Sequence, residues 1–286
     1  MDIASRKIEQ MPDMDIYVAG PPCQDYSLAG SMAGDASERG MIIFKCVKAI
    51  IEKKPMIAIL ENVIGMKSRF PDVVQRILAM LRAAGYSAYV QELDTMNFGL
   101  PQSRKRLYFV FILQCMEQTP FEFPKPYSGK PTLGQILEPL TGAEGARRNG
   151  YLPNTPGTIY HKNVKATVAR LRASGIENPF RKPFVIDIDS SKAHCTFNKS
   201  PCLTRARAHG FWLLNRGRRM TVLEQARLQG FEGFANAAGE MPTIKDLKLP
   251  QGLSRRQVGQ LLGNAMTVTV VREVLRAALT SVGVKF

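Results

Sequence analysis

The chain has 286 residues, of which 45% are hydrophobic and 22% are charged, and its formal net charge at pH 7 is +15. This length and apolar fraction predict a packed core in one large domain, or in one domain with a smaller companion. No run approaches about 18 apolar residues, and residues 1–13 are polar, so neither a membrane span nor a secretory signal is expected. Five widely scattered cysteines favour a reducing, intracellular setting: cytoplasm or nucleoid in a bacterium, nucleus in a eukaryote.

The positive charge lies mostly in the second part of the chain. Residues 1–110 have a net charge of +2, whereas residues 111–286 have a net charge of +13. The segment 190–223, called the basic segment below, contains seven basic residues and no acidic one: Lys192, Lys199, Arg205, Arg207, Arg216, Arg218 and Arg219. Such a segment suits a polyanion, most simply a nucleic-acid backbone. On charge alone, a solvated basic loop is an equally good interpretation.

The stretch at residues 16–27 is the clearest candidate for a reactive site. A short apolar run leads into a Gly-Pro-Pro corner, which delivers Cys23 and Gln24. A helix is predicted over residues 41–53, and a second apolar run at residues 56–60 is followed at once by Glu61. Strand, helix and strand in this order predict a right-handed βαβ unit with a parallel sheet. Cys23 and Glu61 would then lie just past the carboxyl ends of neighbouring strands, where open α/β sheets bind ligands.

A third group joins this edge if the next two strands form a hairpin. A helix is predicted over residues 71–84, and strands are predicted over residues 88–93 and 107–113. Arg104 and Arg106 lie in the polar cluster between these strands. If the second strand runs antiparallel to its neighbours, its beginning falls at the same edge as Cys23 and Glu61. A thiol, a carboxyl and guanidiniums would then meet over one pocket.

The rest of the chain divides into an irregular part and a helical return. Prolines and glycines are frequent from residue 114 to about 201, and the clearest strand there covers residues 184–188. We therefore predict a smaller, irregular or β-containing domain in this part. Capping-box spacings at Thr221 and Ser254 predict two helix starts, and a last helix near residues 270–278 should pack back onto the first domain. The predicted fold class is α/β.

Cys23 has the chemistry of a nucleophile and Glu61 that of a general acid. The reference pKa of a cysteine thiol is ~8.5, so a cationic neighbour such as Arg104 or Arg106 would be needed to populate the thiolate at pH 7. A thiolate beside a carboxyl that shares a proton with a ring nitrogen suits attack on an electron-poor heteroaromatic carbon. On local chemistry alone, purely structural roles stay open, because Cys23 is one of five cysteines and Glu61 can cap a helix. The two arginines can equally pair with acids.

Five motifs in this sequence resemble those of the DNA (cytosine-5) methyltransferase family, in the family's order and spacing, from about residue 15 to 275. In chain order they are Gly-Pro-Pro-Cys-Gln at residues 20–24, Glu-Asn-Val at 61–63, Gln-Ser-Arg-Lys-Arg at 102–106, the segment 219–231, and Gly-Asn-Ala-Met at 263–266. The resemblance implies a Rossmann-like methyltransferase sheet, truncated at its N-terminal side, with a smaller target-recognition domain. The catalytic domain would begin with residues 1–118, and the target-recognition region would cover 119–200. Residues 201–286 would end that region and return to the catalytic domain.

The resemblance also implies a role for each motif. Cys23 would attack C6 of a cytosine flipped out of the helix, Glu61 would hold and protonate its N3 edge, and Arg106, supported by Arg104, would bind its O2. C5 would then take a methyl group from S-adenosylmethionine, as in restriction-modification methyltransferases. The residues beside this cofactor would be Pro22, Ile42, Asn264 and Ala265. The residues that contact double-stranded DNA would be Gln24, Ser27, Arg39, Arg205 and Arg207.

One part of the family's pattern is missing. Family members have a glycine-rich strand-to-helix turn for the methionine end of the cofactor upstream of the nucleophile motif, and residues 1–22 contain no such turn. Three explanations remain open: a second polypeptide supplies those strands, the sequence is truncated, or the chain is an inactive, methyltransferase-like DNA-binding protein. A tRNA cytosine-5 methyltransferase is a further alternative, because one branch of the family acts on tRNA.

No metal site is expected. His194, Cys195, Cys202 and His209 cluster in the sequence, but their spacings lack the close Cys-x-x-Cys pairs of structural zinc sites.

Overall fold

A computed structural model of the chain describes residues 7–26, 40–147, 150–153, 156–231 and 252–286. It divides into two compact units, and each is described by itself. Unit 1 comprises Met1–Asp94, Lys105–Pro126 and Val270–Phe286, and unit 2 comprises Thr95–Arg104 and Tyr127–Thr269. Among the helices of the described residues, none combines the length and apolar content that a membrane crossing requires.

The strands and α-helices are named in chain order. They are β1 (Ile16–Ala19), α1 (Ile42–Lys53), β2 (Ile57–Val63), α2 (Gly65–Arg69), α3 (Pro71–Ala83), β3 (Tyr86–Asp94), β4 (Lys105–Leu113), α4 (Gly142–Arg147), α5 (Ile159–Ala173), β5 (Phe184–Ile186), β6 (Cys195–Phe197), β7 (Trp212–Leu213), β8 (Arg218–Arg219), α6 (Val222–Leu228), α7 (Arg255–Asn264) and α8 (Val268–Ser281).

Unit 1 is built on a four-stranded sheet with the order β1-β2-β4-β3. β1 and β2 are parallel and are connected through α1, which confirms the predicted strand-helix-strand unit and its parallel pairing. β4 runs antiparallel to both β2 and β3, which confirms the predicted hairpin. The beginning of β4 therefore lies at the same edge of the sheet as the carboxyl ends of β1 and β2.

The central strand β2 is buried on both faces, as its nearly continuous apolar sequence predicts. Side chains alternate between the faces of a strand, so Leu60 and its cross-strand partner Phe109 point into one core. The apolar stripes of α1 and α3 cover that core, for example through Val47 and Ile77. α3 begins with Pro71 at its first position, where the missing N–H costs nothing. Val270–Phe286, which includes most of the last helix, belongs to unit 1.

Unit 2 contains a smaller antiparallel sheet with the order β6-β5-β7-β8. Its two faces are covered by separate apolar clusters. Ile186 and Trp212 point into one cluster with α5, and Val185 and Leu213 point into the other. Strands are thus present in this part of the chain, as predicted, whereas a separate smaller domain remains a prediction, because unit 2 spans more of the chain than unit 1.

Several boundaries differ from the sequence-based expectation. β2 extends to Val63 instead of ending before Glu61, because β4 offers hydrogen-bonding partners as far as Arg106. The strand predicted over residues 184–188 ends at Ile186, where the backbone turns and Asp187 pairs with the carbonyl of His194. The proposed domain division at residues 118 and 200 remains a prediction. The compact units divide the chain elsewhere, because Thr95–Arg104, between β3 and β4, belongs to unit 2.

Two glycines bring α7 into backbone contact with the 3-10 helix Arg205–Arg207 and its flanks. A Cβ atom at Gly259 would lie 2.0 Å from the carbonyl oxygen of Ala208, and one at Gly263 would lie 2.3 Å from the carbonyl carbon of Thr204. The two glycines are four residues apart and so lie on the same side of the helix. Only glycine permits this approach, because the obstructing atoms are backbone and cannot rotate away.

This contact predicts that Gly259→Ala destabilises the protein by about 3 kcal/mol or more, since the added methyl group must displace backbone. Gly142→Ala is the matched control: its Cβ would have no neighbour within 4 Å, and a change within about 0.5 kcal/mol is expected. Urea unfolding followed by circular dichroism gives both free energies. Equal stability of the two variants would contradict the packing described for α7.

Candidate active site

The corner after β1 is fixed by a buried tyrosine. Gln24–Tyr26 forms one 3-10 turn, in which the backbone N–H of Tyr26 donates to the carbonyl oxygen of Cys23 at 3.1 Å. The Tyr26 ring is fully buried and meets Phe70 edge-on, with ring centroids 5.3 Å apart. Its hydroxyl donates to the carbonyl oxygen of Gly40 at 3.0 Å. Cys23 is therefore held on an anchored turn, and its half-buried side chain keeps some solvent access.

Glu61 and Arg106 form an ion pair across β2 and β4. Nε of Arg106 lies 3.2 Å from Oε1 of Glu61, and the two side chains are only 14% and 9% exposed. The register explains the pairing. Glu61 is opposite Tyr108 and Arg106 is opposite Val63, so the acid and the base lie on one face as diagonal neighbours. Glu61 was expected just past the end of its strand, but it lies within β2.

Cys23 follows β1, and Glu61 lies near the carboxyl end of the neighbouring parallel strand β2. Ala19, the last residue of β1, is the register partner of Leu60, so the chain leaves β1 beside Glu61. Cys23, Glu61 and Arg106 thus belong to one unit and to one edge of one sheet, as the sequence predicted. Pro22 is half-buried beside Cys23, and Ile42 is buried at the start of α1.

Oε1 of Gln24 and Nδ2 of Asn62, on the motifs of Cys23 and Glu61, are among the buried polar atoms of the described residues that have no hydrogen-bond partner. The side-chain oxygen of Asn62 is satisfied, because it accepts from the backbone N–H of Val63 at 2.8 Å. A buried polar group without a partner costs about 1–3 kcal/mol. One open acceptor and one open donor on the motifs of Cys23 and Glu61 fit a site that receives a polar ligand.

Arg104 has a different environment from Arg106. It is 2% exposed and belongs to unit 2, where its guanidinium donates to the carbonyl oxygens of Leu203 at 2.8 Å and Ala265 at 2.7 Å. It also donates to the carbonyl oxygen of Gly263 at 3.3 Å and contacts Sγ of Cys202 at 3.6 Å. The sequence-based role for Arg104, support of Arg106 at the substrate, remains a prediction. The contacts with Gly263 and Ala265 are made to backbone carbonyls at the C-terminal end of α7.

Two glutamines were not recognised as important from the sequence. Gln102 is fully buried, donates to the carbonyl oxygen of Leu228 at 2.8 Å and accepts from the N–H of Leu203 at 2.9 Å. Gln229 is also fully buried, and its amide donates to the carbonyl oxygen of Leu262 at 2.6 Å. Gln102 and Gln229 both belong to motifs named above, and this membership was the sequence feature that could have marked them as important. Their backbone partners, far away in sequence, could not be deduced.

Most arginines of the basic segment are neutralised inside unit 2. Arg218 sits between two buried acids, Glu144 and Glu224. Within the described residues, the remaining pairs are Arg207 with Asp187 at 2.8 Å, Arg216 with Glu144 at 3.5 Å, and Arg219 with Asp189 at 2.7 Å. The excess charge seen in the sequence is therefore largely compensated by acids that precede or follow the segment.

The pKa values in this network follow the pairing. Burial by itself would raise the pKa of Glu144, but hydrogen bonds from the Thr141 backbone and Arg218 hold it below its usual value. Burial likewise opposes ionisation of Asp189, whose pKa is nevertheless lowered by Arg219. Hydrogen bonding to Glu224 raises the pKa of Arg218. Glu144 and Asp189 are thus ionised partners of the arginines.

The predicted DNA contacts have separate outcomes. Ser27 and Arg39 lie outside the described residues. Arg205 is exposed, whereas Arg207 is half-buried in its pair with Asp187. Lys192, Lys199 and Arg205 make no ion pair within the part of the chain that the structure describes. In unit 2, Asn264 is exposed and Ala265 is half-buried.

The other cysteines include two with suppressed reactivity. Burial raises the pKa of the Cys46 thiol, and burial raises that of Cys195 to about 11. Among the described residues, no group of three or more histidine, cysteine or acidic side chains is arranged to hold a metal ion.

The fold and the site together define an α/β protein with a cysteine and an ion-paired carboxyl at the edge of the sheet where the parallel strands β1 and β2 end. Comparison with solved structures agrees with this class. A methyltransferase of Entamoeba histolytica, EhMeth, superposes with a TM-score of 0.61, at 17% identity, over 98% of this chain and 82% of that one. The Dnmt2 methyltransferase of S. pombe gives a TM-score of 0.59, at 16% identity, over 99% and 84%. At these identities the likeness shows the fold alone.

Sequence comparisons identify the family. Residues 1–280 match the family described as C-5 cytosine-specific DNA methylase. Among curated relatives, the type II methyltransferase M.NlaX of Neisseria lactamica is 31% identical over 98% of this chain and 82% of its own length. The type II methyltransferase M.HaeII of Haemophilus aegyptius is 29% identical over 98% and 78%. The chain therefore belongs to the C-5 cytosine-specific DNA methylase family, whose enzymes methylate cytosine in DNA with S-adenosylmethionine as the methyl donor.

Proposed function

We propose that this chain methylates C5 of a cytosine flipped out of double-stranded DNA, through a covalent bond between Cys23 and C6 of the base. The observation that carries the proposal is the shared sheet edge. The anchored corner of Cys23 follows β1, and the buried pair of Glu61 and Arg106 joins the two strands beside it. The curated type II relatives support DNA as the substrate class.

The site residues divide the work as follows. The Cys23 thiolate adds to C6, and the electron pair of the C5–C6 bond moves toward C5 and the ring. Glu61, in its protonated form when the base is bound, gives a proton to N3, and Arg106 donates to O2, so that the negative charge arriving on the ring is neutralised. The N3 proton returns to Glu61 when the ring loses Cys23. S-adenosylmethionine supplies the methyl group that C5 accepts. A base then removes the C5 proton, the Sγ–C6 bond breaks, and Cys23 leaves as a thiolate.

The ion pair explains how Glu61 and Arg106 are oriented for this task. A buried carboxylate without a partner is strongly disfavoured, and removal of one member of a buried pair typically costs about 3–5 kcal/mol. Arg106 therefore fixes Glu61 at one position on the face of β2 before substrate arrives. The pair uses Nε of the guanidinium, and one Nη atom donates to the carbonyl oxygen of Lys105 at 2.8 Å.

The nucleophile is tested with a duplex that carries 2-pyrimidinone, a cytosine analogue whose C6 is more electrophilic and whose capture needs no methyl donor. Cys23→Ser should lower the amount of denaturation-resistant adduct at least about 100-fold, because the attacking sulfur is lost. Cys115→Ser, which removes an exposed thiol in the same unit, should leave it unchanged. Mass spectrometry locates the modified peptide. An adduct on another cysteine, or equal trapping by Cys23→Ser, would refute the assignment.

DNA contact is assigned to the cationic side chains of the basic segment that make no ion pair within the described residues. Arg205 is exposed on the 3-10 helix that α7 contacts through its glycines, so its backbone is firmly placed. Lys192 and Lys199 complete the set. Arg207 was predicted beside it, and its pair with Asp187 makes it better suited to orient this segment than to meet a phosphate. Extrusion of a base costs a few kcal/mol, which contacts of this kind must offset.

This assignment predicts that Arg205→Ala weakens duplex binding and lowers the slope of log affinity against log salt by about one, as loss of one phosphate contact does. Arg82→Ala, at an exposed arginine of α3 in unit 1, is the control and should change neither quantity. Fluorescence anisotropy at several salt concentrations supplies both numbers. A matched RNA hairpin is titrated alongside. If the protein binds the RNA more tightly than the duplex, the proposal of DNA as the substrate is contradicted in favour of RNA.

The cofactor is proposed to contact Pro22, Ile42, Asn264 and Ala265, as the resemblance implies. The open polar atoms of Gln24 and Asn62 fit a polar ligand near Pro22 and Ile42. Within the described residues, β1 hydrogen-bonds to β2 alone, so its other edge can accept a strand. We assign that position to a strand from a second polypeptide, or from a longer form of this chain, which completes the cofactor site.

The completion is tested by titrating S-adenosylmethionine in a calorimeter into the purified chain, with and without any polypeptide that co-purifies under native conditions. Tight binding is expected only when the complementing strand is present. Equally tight, saturable binding by the chain alone would contradict the proposed completion.

A further inference from the structure

The C-terminus of α7 lacks the usual backbone cap. The last carbonyl groups of a helix have no partner within the helix, and a glycine in a left-handed conformation commonly satisfies them. Here the capping residue is Ala265, which has an extended backbone with φ −67° and ψ 146°. Its N–H reaches the carbonyl oxygen of Leu262 at 3.3 Å. The other carbonyls at this terminus need side-chain donors.

Two buried side chains of unit 2 provide those donors. The guanidinium of Arg104 donates to the carbonyl oxygens of Gly263 and Ala265, at 3.3 and 2.7 Å. The amide of Gln229 donates to those of Leu262 and Ala265, at 2.6 and 3.4 Å. The carbonyl oxygen of Ala265 thus accepts hydrogen bonds from both Arg104 and Gln229, one for each lone pair. A cation at this position also complements the negative end of the helix dipole.

Hydrogen bonds continue from Gln229 into the turn that follows α7. The hydroxyl of Thr267 donates to Oε1 of Gln229 at 3.0 Å, and the N–H of Val268 donates to the backbone carbonyl of Gln229 at 2.9 Å. Thr95 and Thr267 are joined by their hydroxyls at 3.0 Å. Because Thr267 donates its single hydroxyl hydrogen to Gln229, Thr95 is the donor in the pair of hydroxyls. The turn 263–268 is therefore held on both sides of Ala265.

We infer that Gln229 and Arg104 are positioning residues, which hold the α7 terminus so that the exposed Asn264 and the half-buried Ala265 meet S-adenosylmethionine. The inference rests on the proposed function, in which those two residues contact the cofactor. It gives Arg104 a role separate from Arg106: Arg106 faces the cytosine, and Arg104 shapes the loop on the cofactor side. Neither Gln229 nor Arg104 needs to touch a reacting atom for this.

The geometry distinguishes this role from general stabilisation. Gly263 fixes the back of α7 against Thr204, so the helix end cannot shift to recover a lost donor. Loss of Gln229 leaves two carbonyls and one threonine hydroxyl with fewer partners, all within residues 262–267. The disturbance is therefore concentrated at the two residues assigned to the cofactor.

The experiment compares Gln229→Leu with Asn163→Leu. Asn163 is a buried amide of the same unit that also donates to two backbone carbonyls, those of Ile188 and Ser190, both at 2.9 Å. Among the described residues it makes no hydrogen bond to the end of α7. Amide hydrogen exchange should quicken in peptides that cover residues 262–268 for Gln229→Leu and stay unchanged there for Asn163→Leu. Unaltered exchange in Gln229→Leu would overturn the inference.

Cofactor affinity is then measured on the same variants, in the form of the protein that includes any co-purifying chain. Gln229→Leu should weaken S-adenosylmethionine binding roughly tenfold or more, as small displacements of positioning groups do, and Asn163→Leu should not. Arg104→Met should act like Gln229→Leu, and Arg104→Lys, which keeps a cationic donor, should recover part of the affinity. Equal affinities of Gln229→Leu and Asn163→Leu would overturn the inference, whatever the exchange shows.

Capture of 2-pyrimidinone separates this inference from the proposed function. It should proceed in Gln229→Leu at the wild-type level, because the cytosine side of the site is left intact. Capture without any saturable cofactor binding by the wild-type protein would overturn the inference and leave the role of Cys23 standing. Absence of both would overturn the inference and the proposed function together.

Discussion

Strand β2 is the element on which the site depends. It pairs in parallel with β1 on one side and antiparallel with β4 on the other, and both of its faces are buried. This double pairing brings the end of β1, which leads to Cys23, and the beginning of β4, which carries Arg106, to the two sides of Glu61. A slip of one residue between β2 and β4 would turn Glu61 away from Arg106, and a slip between β1 and β2 would change how the end of β1 lies beside Glu61, because side chains alternate between the faces of a strand. The apolar residues that lock β2 into the core therefore also set the geometry of the chemistry.

Charge in unit 2 has two distinct uses. Four of the five arginines of the basic segment are tied to carboxylates that are buried or half-buried, and pairs of this kind specify geometry more than they add stability. Arg205 and the two lysines remain available for a polyanion. A net charge counted along the sequence combines both groups, so it overstates the surface that nucleic acid can meet. Arg104 belongs to neither group, since its charge caps a helix within the unit.

The sequence predicted the arrangement of unit 1 because local patterns determine it. Short apolar runs, a glycine-proline corner and the order strand-helix-strand restrict the sheet to few topologies, and the motifs then placed Cys23, Glu61 and Arg106 at one edge. It could not predict that Glu61 lies inside β2, since the strand's length depends on how far β4 pairs with it. The environments of Arg104, Gln102 and Gln229 were also beyond reach. Their partners are backbone carbonyls and N–H groups distant in sequence, and backbone groups leave no signature in a single sequence.

The central claim is that Glu61 and Arg106 activate the ring that Cys23 attacks, and hydrogen exchange at cytosine C5 tests it most directly. Addition of a thiolate to C6 makes C5 nucleophilic, so a duplex tritiated at cytosine C5 should release tritium to water even without a methyl donor. The wild-type protein should release it, and Glu61→Gln and Arg106→Met should each reduce the rate by about 100-fold or more, as loss of a general acid or an electrostatic partner does. Release by both variants at the wild-type rate, or no release by the wild-type protein, would contradict the account.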